Sequence, residues 1–311
     1  MRMTVMTSAI AASVKTDFMI GADPEFAFVD SSNRLIPANT LVKDDELHEP
    51  FGYDGCARIA EVRPAPSNDP FTLVSNIKRD LDYGVAKNPG VLNCNWRAGS
   101  YVAGNPLGGH IHFGLGGIDG FFLDSYHDEL GHESIGHVVL DALDRYLTHT
   151  LILLEKPLEA ARRRASYGLL NAHRVQKWGI EYRSPSSWMT SPYIAAGALC
   201  LAKTVVWEVI NNNLDHTYKP ELDRDAFNNC RKGLLRPHFI NEVWPEIQKF
   251  ELYRKYKRQI DMLAKLIANK QNWFPACGMK SAWGISKNTK PLPKIQKTTL
   301  SDIWNGVEDA V

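Results

Sequence analysis

The chain has 311 residues, of which 44% are hydrophobic and 23% charged, and its formal net charge at pH 7 is +1. This balance is ordinary for a soluble globular protein and gives no electrostatic case for a dedicated nucleic-acid-binding protein. We see no run of about 20 apolar residues and expect no membrane span. The five cysteines are scattered without metal-ligand spacing, which favours reduced thiols and a cytoplasmic location.

The first polar pair lies in residues 17–30, which predict a strand entering a hairpin. Asp23 and Glu25 are two residues apart, so they share one face of that strand, while Phe26 and Phe28 alternate along it. Two acids on one face repel each other unless a cation lies between them. The pattern therefore indicates a metal site, with a solvated strand face as the alternative.

A second polar pair lies in residues 57–64, where Glu61 and Arg63 share a face and Pro64 ends the predicted strand. A carboxylate beside a guanidinium suits a metal nucleotide, because the acid holds the cation and the arginine holds a phosphate. Asp54, in the preceding turn, adds a candidate carboxylate.

The third pair is His110 and His112, which share a face of a strand that follows Gly108 and Gly109. His-x-His on a strand is a recognisable metal-binding arrangement. Two histidines that merely pack or face solvent are the alternative interpretation.

The fourth pair is Glu181 and Arg183, which repeat the acid-x-arginine spacing before Pro185. Arg174 and the arginines at 162–164 form a basic cluster near this strand in the sequence. We interpret the cluster as a candidate site for a polyphosphate tail, with a solvated helix face as the alternative for residues 162–164.

Apolar periodicity predicts helices between and after these strands. They are expected over residues 71–85, 135–155, 193–213 and 239–269. We divide the chain into a catalytic sheet with inserted helices over 16–192, a helical part packed on the same domain over 193–270, and a C-terminal tail over 271–311.

Four polar pairs on separate strands favour an α+β fold whose curved antiparallel sheet turns its polar face into a cleft. Carboxylates and a histidine there would hold Mg²⁺ or Mn²⁺, and arginines would neutralise phosphate, which is the equipment of phosphoryl transfer. The sequence has no Gly-x-x-x-x-Gly-Lys-Ser/Thr loop and no kinase His-Arg-Asp or Asp-Phe-Gly motif.

The order of these motifs resembles the carboxylate–amine ligases of the glutamine synthetase and glutamate–cysteine ligase superfamily, and more narrowly the phage-type COOH–NH2 ligases. The resemblance covers about residues 18 to 190. It rests on these segments: Asp23-Pro24-Glu25, Glu61-Val62-Arg63-Pro64, Gly109-His110-Ile111-His112, Arg174 and Ile180-Glu181-Tyr182-Arg183.

The resemblance implies a glutamine synthetase-like cleft that binds ATP with Mg²⁺ or Mn²⁺. Together with the strand patterns it nominates these metal ligands: Asp23, Glu25, Asp54, Glu61, His110, His112 and Glu181. Arg174 and Arg183 are expected to contact ATP phosphates or an acyl phosphate, Arg164 to contribute to nucleotide binding, and Arg63 to act on phosphate or on the substrate carboxylate. Asp23 departs from the family's commoner glutamate, and its shorter arm reaches less far.

The implied reaction forms an amide from a small-molecule or peptide carboxylate and an amine, through an acyl phosphate, in the host cytoplasm if a phage encodes the protein. Three alternatives stay open: a metal-dependent hydrolase, a guanidino kinase with Cys277 as its reactive cysteine, and a non-catalytic phage structural protein. The basic C-terminal helices leave contact with a nucleic-acid substrate open. The sequence names neither substrate and predicts no oligomeric state.

Overall fold

The computed structural model describes residues 15–43, 49–53, 55, 57–121, 134–212, 214 and 223–286. Asp54, one of the predicted metal ligands, lies outside these residues.

The strands are short except for the first. They are β1 Ile20–Val29, β2 Leu35–Ile36, β3 Phe51–Tyr53, β4 Ala60–Val62, β5 Asn95–Arg97, β6 Tyr101–Val102, β7 Asn105–Pro106, β8 Gly109–Phe113, β9 His173–Gln176 and β10 Gly179–Tyr182. Within the described residues the main sheet has the order β3-β4-β1-β8-β10-β9, with β2 and β5 also pairing with β1, while β6 and β7 form a separate hairpin. All of these pairings are antiparallel, as the sequence predicts.

Strand β1 organises the sheet because its two faces differ in chemistry. Phe26 and Phe28 are fully buried, and the Phe26 ring centroid lies 5.0 Å from that of Trp96. Asp23 and Glu25 alternate with these apolar residues and face the other side. The predicted separation of an apolar face and an acidic face is confirmed.

Strand register brings the four predicted polar pairs together. Asp23 lies opposite His110, Glu25 opposite Glu61, and Glu181 opposite His112. Because residues directly opposite on antiparallel strands share a face, these side chains come from one side of the sheet.

Helices cover the apolar side of the sheet and extend beyond it. They are α1 Pro70–Lys87, α2 Ile135–Ala142, α3 His149–Ile152, α4 Pro157–Arg164, α5 Pro192–Asn212, α6 Arg224–Asn228, α7 Lys232–His238, α8 Trp244–Ile247, α9 Tyr253–Ala268 and α10 Gly278–Ala282. Two predicted helices are interrupted by π-helical turns, at Leu143–Thr148 and Phe239–Val243.

The start of helix α1 is fixed by its capping residue and by a proline. The Asp69 carboxylate accepts a hydrogen bond from the Thr72 backbone N–H, and Pro70 occupies the first helical position. Both features are typical helix starts, which is why the helix predicted over 71–85 is confirmed.

Helix α5 is long and apolar enough to cross a membrane by length and composition, contrary to our expectation that no such segment exists. Of its most apolar stretch, 78% is buried inside the protein. A Cβ placed on Gly197 would lie 2.9 Å from the Leu263 side chain of α9, which shows how closely the two helices approach. The apolar composition of α5 is therefore explained by its place in the core.

The described beginning of the predicted tail packs against the rest of the chain. Trp273 and Trp283 are buried, and the Trp283 indole N–H donates to the Met189 carbonyl at 2.9 Å. Trp273 and Trp283 thus contribute to the core, while the predicted domain boundaries stay predictions.

Candidate active site

Three predicted metal ligands form a compact cluster on adjacent strands. Asp23 of β1, His112 of β8 and Glu181 of β10 each offer one ligand atom, and these atoms lie within 4.8 Å of one another. His112 Nε2 is 3.2 Å from Asp23 Oδ1. The cluster exists because β8 lies between β1 and β10.

The composition of this cluster fits a divalent cation. Two carboxylates and one imidazole are a donor set that Mg²⁺ or Mn²⁺ accepts, with water or substrate oxygens completing the coordination. The Glu181 side chain is buried, whereas those of Asp23 and His112 are 22% and 25% exposed. The site is therefore open on one side to a substrate.

Asp23 is suited to stay ionised there. Burial by itself raises its pKa, but hydrogen bonds to His110 and His112 and their charge outweigh burial and hold the pKa of Asp23 well below its usual range. An aspartate with a depressed pKa is a carboxylate at neutral pH, the form that binds a cation.

His110 lies beside the cation cluster and approaches both of its carboxylates. Its Nδ1 lies 3.0 Å from Asp23 Oδ1, and its Nε2 lies 2.6 Å from the Tyr167 hydroxyl. The same Nδ1 lies 3.7 Å from Glu181 Oε1, so His110 is next to two of the three cluster residues. The metal-ligand role predicted for His110 stays a prediction.

Two predicted arginines border the cluster through Glu181. Arg174 Nη1 donates to Glu181 Oε2 at 3.1 Å, and Arg183 Nε lies 3.2 Å from Glu181 Oε1. The Arg174 side chain is 56% exposed. The structure therefore brings both guanidinium groups to the edge of the cation cluster.

Tyr167 is the polar residue that the sequence patterns miss. Its oxygen accepts a hydrogen bond from Arg183 Nη2 at 2.7 Å and lies 2.6 Å from His110 Nε2. Burial, and next the negative charge of Glu25, raise the pKa of Tyr167 to about 12, so the hydroxyl keeps its proton at neutral pH. The residue lies in a loop, where no strand or helix period marks it.

The Tyr167 loop is held by Arg163 and permitted by Gly168. Gly168 has φ +70°, and a Cβ there would lie 1.9 Å from Arg163 Nη1, so a larger residue would be strained and would displace the Arg163 side chain. The Arg163 guanidinium carbon lies 5.0 Å from the centre of the Tyr167 ring. A Tyr-Gly pair after a basic helix is the available sequence signal, and it is weak.

Glu25, Glu61 and Arg63 form a neighbouring group on the same side of the sheet. Glu25 accepts a hydrogen bond from the Gly108 backbone N–H at 2.6 Å. Arg63 Nε donates to Glu61 Oε1 at 2.7 Å, and its two terminal nitrogens donate to backbone carbonyls of residues 49 and 53. The Arg63 guanidinium is therefore engaged by the protein, and its catalytic role stays a prediction.

Arg164 was predicted to bind the nucleotide together with Arg174 and Arg183, but its surroundings differ from theirs. Its side chain is fully buried, pairs with Glu155 at 3.0 Å and stacks on Phe227, with its guanidinium carbon 4.9 Å from the ring centre. A guanidinium closed off in this way has no access to a nucleotide, and we do not carry the predicted cofactor contact forward.

Comparison with known structures finds a chain described as a bifunctional glutathione synthetase from Pasteurella multocida, at a TM-score of 0.45 and 10% sequence identity. The alignment covers 94% of the present chain and 52% of that chain, so the present chain spans about half of its length. This similarity is too low to assign fold or function. Comparison with curated proteins finds no match.

Comparison with protein families gives a direct assignment. The family described as phage phiEco32-like COOH.NH2 ligase-type 2 matches residues 20–124 and 125–285, which include the described strands and helices that build the cluster. The chain therefore belongs to the phage phiEco32-like COOH–NH2 ligase type 2 family.

Proposed function

We propose that this protein is an ATP-dependent carboxylate–amine ligase that forms an amide through an acyl phosphate. The observation that carries the proposal is the shared use of Glu181. This carboxylate belongs to the cation cluster with Asp23 and His112, and it also holds Arg174 and Arg183. Cation ligands and guanidinium groups side by side are what a reaction on a metal-bound polyphosphate requires.

The residues divide the work according to their contacts. Asp23, His112 and Glu181 would hold Mg²⁺ or Mn²⁺, which when bound supplies charge neutralisation at phosphate oxygens. Arg174, the more exposed of the two arginines, would bind a phosphate oxygen beside Glu181. Arg183 is held by Tyr167 and Glu181 and so presents its charge in one orientation.

The chemistry needs no side-chain nucleophile. An oxygen of the substrate carboxylate attacks the γ-phosphorus of ATP, and the bond from that phosphorus to the bridging oxygen breaks to release ADP. The nitrogen of an amine then attacks the acyl carbon of the acyl phosphate. The carbon–oxygen bond to phosphate breaks, the nitrogen loses a proton, and the products are an amide and phosphate.

One feature of the structure speaks against a guanidino kinase. Cys277, its candidate reactive cysteine, lines a cavity beside β5 that none of the cation-cluster residues line. A cysteine that acts on the transferred group would have to lie near the phosphate-binding arginines.

Hydroxamate formation tests the proposal directly. Purified protein is incubated with ATP, Mg²⁺, hydroxylamine and a panel of carboxylates, because hydroxylamine traps an acyl phosphate without knowledge of the true amine. We expect hydroxamate in step with ADP release, and a loss of at least about tenfold in Glu181→Gln. Glu246→Gln is the matched control and should retain full activity. It removes a partly exposed carboxylate of α8 that pairs with Lys249.

Other outcomes distinguish the alternatives. ADP release without hydroxamate from any carboxylate favours a kinase. Substrate hydrolysis that requires metal but no ATP favours a hydrolase. Absence of ATP binding and turnover with both Mg²⁺ and Mn²⁺ would refute the ligase assignment.

A further inference from the structure

A cavity of about 340 Å³ lies between β5 and the segment 274–281. Its lining residues include Phe274 and Met279. This volume is within the range of small-molecule sites. None of Asp23, His112 or Glu181 lines it, so it is separate from the cation cluster.

The charge of the cavity has one sign. Among its lining residues in the described part of the chain, the charged side chains are Arg97 and Lys280, and no aspartate or glutamate is present. Lys156 Nζ lies 4.5 Å from the centre of the Phe274 ring, which adds a cation behind one wall, although Lys156 also pairs with Glu159. A cavity with this distribution of charge favours an anion.

A buried hydroxyl is a second observation, independent of the charge, that favours a ligand in this cavity. Thr190 lines the cavity and is 1% exposed, and its Oγ1 has no hydrogen-bond partner within the described residues. A buried hydroxyl without a partner is destabilising, and native proteins rarely leave one. A ligand oxygen in the cavity would provide the hydrogen-bond partner that Thr190 Oγ1 lacks.

We propose that this cavity is a second binding site, which takes a small organic anion, carboxylate or phosphate, with an apolar group attached. Arg97 and Lys280 attract the anionic end, Thr190 provides a hydrogen bond, and the Phe274 ring contacts the apolar group. The site does not depend on the proposed ligase activity.

One segment connects the two sites. The Ser187 hydroxyl donates to the Glu25 carbonyl at 2.5 Å, on the strand that carries Asp23. Thr190 follows three residues later and lines the cavity. A ligand in the cavity therefore contacts the segment that holds β1 at the cation cluster.

Cys277 is a natural reporter for this site because it lines the cavity and is exposed, whereas Cys94, Cys200 and Cys230 are buried. The whole chain is labelled with N-ethylmaleimide, and modification of the Cys277 peptide is followed by mass spectrometry. Phenyl phosphate, 3-phenylpropionate and inorganic phosphate are the probes. We expect saturable protection by at least one of the two aromatic anions, and the one that protects at the lower concentration identifies the preferred anionic group.

Substitutions test whether the protection comes from this cavity. Arg97→Gln should raise the half-protecting concentration about tenfold, because a charged hydrogen bond is lost. Thr190→Val should raise it by a smaller factor. Arg254→Gln, an exposed arginine of α9 that does not line the cavity, is the matched control and should leave protection unchanged.

Two results would overturn the proposal: no protection by either aromatic anion at tens of millimolar, or equal protection in Arg97→Gln and in the natural protein. Circular dichroism establishes that each variant is folded. Protection that persists in Glu181→Gln shows that the cavity binds independently of the cation cluster, so failure of the ligase assay and failure of this proposal are distinguishable.

Discussion

At the scale of single residues, the arrangement around Asp23 separates two histidines that share one strand face. His110 is enclosed by Asp23 and Tyr167, one on each ring nitrogen. His112 is more exposed, and its Nε2 faces the space between Asp23 and Glu181. The same residue type, two positions apart, thus has different exposure and different partners.

This difference gives a prediction for metal binding. His112→Ala should weaken binding of Mn²⁺ at least about tenfold, because it removes one of three candidate ligands. Free Mn²⁺ can be measured by electron paramagnetic resonance during a titration. His173→Ala, an exposed histidine of β9, serves as the control with unchanged affinity. Equal affinity in His112→Ala and the natural protein would show that the cation lies elsewhere.

At the scale of elements, one buried arginine of α4 ties together the segments that flank β8 and β10. Arg163 Nε donates to the Leu107 carbonyl at 2.7 Å, and its Nη1 donates to the Ser184 carbonyl at 2.8 Å. Nη2 donates to the carbonyl of Pro185 at 2.8 Å. Burial, and next the charge of Arg164, lower its pKa to about 10, so it stays charged at neutral pH. The loops on both sides of the cluster therefore depend on this side chain.

A conservative substitution tests that dependence. Arg163→Lys should lower the free energy of unfolding by roughly 2–4 kcal/mol, since one ammonium group cannot satisfy carbonyls on several segments and leaves buried acceptors unpaired. Urea denaturation measures the change. Arg162→Lys, on the exposed neighbour in the same helix, should stay within about 0.5 kcal/mol of the natural protein. Similar losses in both variants would contradict the assigned role.

At the scale of the whole molecule, buried ionisable groups outside the cation cluster affect stability in opposite directions. Burial raises the pKa of Asp144 to about 7 and that of Asp80 to about 6. Burial lowers the pKa of His149 to about 4. The two acids favour folding at low pH and the histidine favours folding at higher pH, so their effects partly cancel in the natural protein.

Asp144→Asn isolates one of these effects. The folded protein holds the Asp144 proton up to about pH 7, whereas the unfolded chain releases it near the ordinary value of 3.8. Stability contributed by this group is therefore lost as pH rises through that window. The natural protein should lose roughly 2–3 kcal/mol of unfolding free energy relative to Asp144→Asn between pH 5 and pH 8.

Urea denaturation at several pH values measures this difference. Asp80→Asn provides a comparison. Because the pKa of Asp80 is about 6, the stability that this group contributes should be lost by about pH 6 rather than pH 7. A difference between the natural protein and Asp144→Asn that stays constant with pH would show that Asp144 is ionised throughout.

Much of the cation cluster follows from the sequence because strand alternation is local. The spacing of Asp23 and Glu25, of His110 and His112, and of Glu181 with Arg183 determines which side chains share a face. The four motifs in chain order also indicate the family. Arg164 shows the limit of this reasoning. Successive residues of a helix point about 100° apart, so consecutive arginines meet different surroundings, and the sequence alone does not show which of them is buried.

What the sequence by itself determined is the set of polar strand faces, the antiparallel sheet and the membership of a carboxylate–amine ligase family. Only the tertiary structure decided that Asp23, His112 and Glu181 come together, that Tyr167 reaches His110, and that a cationic cavity lies beside β5. The physical reason is the range of the interactions involved. Alternation depends on neighbouring residues, whereas register between strands and the path of a loop depend on contacts between residues far apart in the chain.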